Sequence, residues 1–149
     1  MSTLRSCVSD MLHVLGLRWR VGEAGHARRA EAIAATLGPA WRKLLGHRGV
    51  LVFVRDDPTD TPILELPNES GFIIGQAFER MDGVSRPLIA EAVTPARARA
   101  WVETHGDQFV QECWGPTIVV LHDRWRDDLS ILRDAGGARP FFVDLAAGP

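Results

Sequence analysis

Asp107-Gln108-Phe109-Val110-Gln111-Glu112-Cys113-Trp114-Gly115, then Thr117-Ile118-Val119-Val120-Leu121-His122, then Leu129-Ser130-Ile131-Leu132-Arg133-Asp134, is the stretch whose order decides the fold. Asp107 is placed to cap a short helix, Gln108 to Cys113, with Phe109, Val110 and Cys113 on one face. Gly115 permits a tight corner that a side chain would obstruct. The β-branched run from Pro116 to His122 reads as a strand, and Asp123 to Asp128 as a polar hairpin loop. Leu129 to Arg133 returns as the next strand. Gly136 and Gly137 can supply positive φ for a second turn, and Arg139 to Leu145 closes a meander of three antiparallel strands.

Working outward, Thr94-Pro95 reads as an N-cap followed by proline at the first helical position, opening a helix to Thr104 that stops before Gly106. Phe72 to Phe78 reads as a strand, and Gly75 inside it implies a bulge or a close backbone approach. Glu79 to Val93 is mixed, with turn signals at Asp82-Gly83 and Arg86-Pro87. Ile63 to Leu66 reads as a short strand before the turn Pro67 to Gly71, and Gly49 to Arg55 as a buried strand. Ala40 to Arg48 reads as a linker. Glu23 to Leu37 repeats alanines at helical spacing and stops at Gly38-Pro39. Met11 to Val21 is apolar on both alternations, as in a strand covered on both sides. The sum is six or seven strands and two or three helices. Strands grouped together, rather than alternating with helices, imply an α+β fold. The length of 149 residues suits one domain, 1–149, behind a polar leader, 1–10.

Composition excludes several function classes. Hydrophobic residues make up 46% and charged residues 24%, as in an ordinary globular chain. A formal charge of −2 implies no broad pull towards nucleic acid or anionic membrane. No apolar run approaches a bilayer span, and residues 1–10 hold no apolar core of a secretion signal, so a cytoplasmic location is expected. Two cysteines, Cys7 and Cys113, make no disulfide framework, and the five histidines are too scattered for a metal site. G-x-S-x-G, G-x-x-x-x-G-K-[ST] and G-x-G-x-x-G do not occur.

The segment from Asp107 to Gly115, the strand Thr117 to Asp123, the Arg133-Asp134 pair and Gly137-Ala138-Arg139-Pro140-Phe141-Phe142 resemble the end of the class-II glutamine amidotransferase domain of asparagine synthetases. Within that family the look is most similar to lasso peptide macrocyclases. Gly71 to Phe78 is similar to the strand that these proteins place before their helices. The resemblance covers about half the chain and is vague before Gly71. It implies a reduced, mainly antiparallel form of the αββα sandwich of N-terminal-nucleophile hydrolases. Its structural signature here is Gly75, Gly115, Arg133, Asp134, Gly137 and Pro140.

The chain departs from the family at its chemistry. The family's nucleophile is a cysteine that opens the first strand and uses its own α-amino group as base. Here that strand begins near Met11 or Leu12 with no cysteine. Cys7, and Ser2 after loss of Met1, are the two side chains that could substitute, and the polar leader argues against both. Ile74 stands before Gly75 where the family has asparagine, and Arg97 and Arg99 lie where a serine-aspartate clamp belongs. Positioning and attack act as a unit, so losing both leaves no catalytic residue expected in this chain. Cys113, at a helix C-terminus, reads as a buried structural thiol. Arg133 and Asp134 either shape a site wall or fix a turn, and turn-flanking charges favour the second.

The resemblance implies a catalytically degenerate glutaminase-like domain of an ATP-dependent amide-forming enzyme, a lasso peptide cyclase. It would act as scaffold for the synthetase domain and the peptide substrate. The Ser-Gly-Gly-x-Asp-Ser loop of that synthetase does not occur in the 149 residues, so ATP and magnesium belong to the synthetase domain and no cofactor or metal is expected in this chain. The expected partners are that domain, or a peptide precursor and its processing proteins. The alternative is a stand-alone, non-catalytic peptide- or protein-binding module of the same fold, taking a peptide along a sheet edge.

Overall fold

Valines at alternate positions build the first sheet. In the computed structural model, which describes residues 13–19, 22, 24–47, 49–55, 61–81 and 83–134, Val50, Val52 and Val54 of strand β3 (Val50–Arg55) are 1%, 4% and 1% exposed. The chain divides into two compact units, Met1–Thr61 and Pro62–Pro149.

In the first unit, β1 (Val14–Arg18) and β2 (Trp41–His47) flank β3 in the order β1-β3-β2, both antiparallel to it. They are therefore parallel to each other, and the helix α1 (Ala24–Thr36) joins them. Two expectations change here. The span 40–48 is not a linker but contains β2. Its ladder pairs Lys43 with Phe53 and Leu45 with Val52, so Leu44 is an extra residue in a β-bulge. The adjacent leucines that hid the period of two are the bulge itself. Strand β1 is not covered on both sides either. Leu15 and Leu17 are half-buried while Val14, Gly16 and Arg18 are exposed. The helix lies where the alanine spacing puts it, with Ala30 buried.

The second unit has a four-stranded sheet in the order β10-β9-β5-β4 and a three-stranded sheet in the order β7-β6-β8. The strands are β4 (Ile63–Glu65), β5 (Gly71–Ile74), β6 (Phe78–Met81), β7 (Val84–Pro87), β8 (Cys113–Trp114), β9 (Ile118–Asp123) and β10 (Asp128–Arg133). Two helices, α2 (Pro95–Glu103) and α3 (Asp107–Glu112), intervene between β7 and β8. Every strand pair among the described residues is antiparallel, so the protein is an α+β fold with mainly antiparallel sheets. No helix among the described residues is long and apolar enough to cross a membrane.

The turns explain the order. Between β4 and β5, Asn68 and Glu69 both take left-handed φ, 57° and 56°, and the Ser70 N–H donates to the Pro67 carbonyl at 3.2 Å. That is the hairpin turn whose twist matches the strands. Gly75 (φ 96°) ends β5 rather than bulging within a longer strand, and its N–H donates to Pro62 O at 2.8 Å. The mixed stretch after Phe78 is a hairpin, with Met81 opposite Val84. Arg86-Pro87 lies in β7 and not in a turn. Thr94 caps α2, its hydroxyl accepting the Arg97 N–H at 3.2 Å. Asp107 is not the cap of α3 but its first residue; Gly106, at φ 94°, holds the cap position. Val110 is 54% exposed and leaves the apolar face to Phe109 and Cys113. Trp101 of α2, fully buried, meets Phe109 edge-on at 5.2 Å, and both pack with Ile73, Val119 and Leu121 in one core. The expected strand Arg139 to Leu145 lies outside the described residues.

Candidate functional site

Among the described residues of the second unit, a dense polar cluster is built around Arg97. Capping at Thr94 starts α2 so that Arg97 faces β6 and α3, beside the buried Ala98 and Trp101. Its Nη1 donates to Glu79 Oε1 at 2.6 Å and to the Ala92 carbonyl at 3.1 Å. Its Nε donates to Glu112 Oε2 at 2.8 Å, and Nη2 lies 3.9 Å from Cys113 Sγ. The guanidinium sits 5.1 Å from the Trp101 ring centroid. Glu112 also accepts from Trp101 Nε1 at 3.1 Å and from Gln108 Nε2 at 2.6 Å.

Charge is well compensated here. Burial works against the Arg97 cation, but hydrogen bonds to Glu79 and Glu112 outweigh it and its pKa rises. Burial likewise opposes the Glu112 carboxylate, yet bonds from Gln108, Arg97 and Trp101 hold its pKa below the ordinary value. Burial pushes the Cys113 thiol up to about 11, only partly offset by Arg97. Cys113 is therefore a protonated thiol at neutral pH, and a thiol is a poor nucleophile. The cluster ties β6, α2 and α3 together and presents no reactive group.

A serine, a histidine and an aspartate do meet elsewhere. His105 Nδ1 is 3.3 Å from Ser130 Oγ and 3.3 Å from Asp128 Oδ2. Both partners use the same ring nitrogen, so no relay runs from carboxylate through the ring to the hydroxyl, as a triad needs. No group of three or more histidine, cysteine or acidic side chains among the described residues is placed to hold a metal.

The expected signature residues gather only in part. Gly75, Gly115 and Asp134 converge at one end of the four-stranded sheet. Gly115 (φ 135°) lies so close to the connection between β5 and β6 that a Cβ on it would stand 2.3 Å from the Gln76 carbonyl oxygen. The Asp134 N–H donates to Thr117 O at 3.1 Å and continues the β9–β10 ladder. Arg133 is exposed, opposite Ile118. Gly137, Pro140, Ser2 and Cys7 lie outside the described residues. Sequence reasoning missed Glu79, Trp101 and Glu112 as Arg97 partners. One signal was available, the i,i+4 spacing of Gln108 and Glu112.

No protein-family model, no curated protein and no solved structure matches this chain.

Proposed function

We propose that the chain is a catalytically degenerate glutaminase-like domain of an asparagine-synthetase-like, amide-forming enzyme, a lasso peptide cyclase, and that it adopts a reduced form of the N-terminal-nucleophile-hydrolase sandwich. Its role is to scaffold the ATP-dependent synthetase domain and the peptide substrate. One observation carries the reading. The stretch where the resemblance puts a glutamine clamp is occupied by Arg97, whose guanidinium is taken up by Glu79 and Glu112, 2.6 and 2.8 Å away. A side chain committed to internal carboxylates does not hold a substrate. A cyclase that uses its peptide's own amine has no need of ammonia from glutamine, so loss of that clamp agrees with the role.

The test pairs this chain with the adenylating synthetase domain encoded in the same or a neighbouring reading frame. The expected result is a stable complex, ATP-dependent lactam formation on a precursor peptide that requires this chain, and no glutamate released from glutamine. Glutamate release, or full cyclase activity without the chain, would overturn the proposal.

A further inference from the structure

No further inference is drawn: the strongest candidate, the surface patch on the three-stranded sheet where the exposed Trp114 of β8 stacks on Phe78 of β6 at 5.1 Å, with Pro87 of β7 opposite Phe78, is an unpartnered apolar face, and nothing in the structure shows what covers it.

Discussion

The two units solve the same problem, burying a sheet, with different means. In Met1–Thr61 the work falls on one central strand. Val50, Val52 and Val54 are buried, while β1 and most of α1 remain open to solvent. In Pro62–Pro149 two helices bring Trp101 and Phe109 into a core shared with Ile73, Val119 and Leu121, and an ionic cluster locks their outer side. The contrast teaches that a unit with interlocking layers limits its own sequence more tightly. Gly71 and Gly115 show it: a Cβ on Gly71 would stand 1.9 Å from Val120 O. In the first unit, Gly16, Gly25 and Gly38 would meet nothing within 4 Å.

The comparison breaks most decisively at the cores. Trp101→Ala is expected to cost about 3–5 kcal/mol, the range for large aromatic truncations in a core. It also strips Glu112 of a donor. Hydrogen exchange read by mass spectrometry should show faster exchange across residues 62–134 and unchanged exchange across 13–55. Leu45→Ala, at a side chain 2% exposed in β2, should do the reverse at about 2–4 kcal/mol. Loss of protection in both units from either change would show that they unfold as one.

The next effect sharpens the role of the ionic cluster. Arg97→Ala leaves Glu79 and Glu112 facing each other without the cation between them, and a loss of about 2–3 kcal/mol is expected for a partly buried pair broken from one side. Denaturant melts at neutral pH measure it. The pH dependence has a definite sign. Glu112 has a lowered pKa in the folded chain, so its contribution is complete above the ordinary value of 4.5 and is lost as pH falls through the folded value below it. Glu112→Gln should flatten that acid limb, and an unchanged limb would remove the carboxylate from the account.

What the sequence made legible follows from the same physics. Runs of β-branched residues with one partner strand on each side, Val50 to Arg55 and Thr117 to His122, announce themselves because burial and propensity agree. The cap at Thr94 and the corner at Gly115 are also local. Strand β2 was hidden because the bulge at Leu44 breaks the alternation that identifies a strand. The β6–β7 hairpin was hidden because each strand has four residues and β7 is exposed throughout, leaving no apolar period to read. The Arg97 cluster joins residues 15 and 18 positions apart on three elements, and only the fold brings them together. The cysteine beside it was legible as structural, because a thiol at a helix C-terminus gains nothing from the helix dipole.

That reading of Cys113 has its own measurement. Its thiol, pushed up to about 11 by burial, should alkylate with iodoacetamide far more slowly at pH 8 than a free cysteine, whose pKa is about 8.5. In a Cys7→Ser variant the labelling of Cys113 should speed up once Trp101→Ala loosens the core. Fast labelling of the folded parent would contradict a sealed thiol.

The smallest effect lies in the hairpin that feeds the four-stranded sheet. The turn Pro67 to Ser70 needs left-handed φ at both central residues, and it holds asparagine and glutamate there. Asparagine tolerates that conformation through its short polar side chain, whereas glutamate has no such compensation. Glycine is the residue this second position favours. Glu69→Gly should therefore stabilise the second unit by about 0.5–1 kcal/mol: relief of the left-handed strain exceeds the entropy that glycine adds to the unfolded chain. The side chain is exposed and no core contact is lost. A rise of the denaturation midpoint with an unchanged m-value is the expected signature. A fall would mean that the Glu69 side chain contributes more than its backbone costs, and the turn would then owe its form to residue 69 rather than to the strands that it joins.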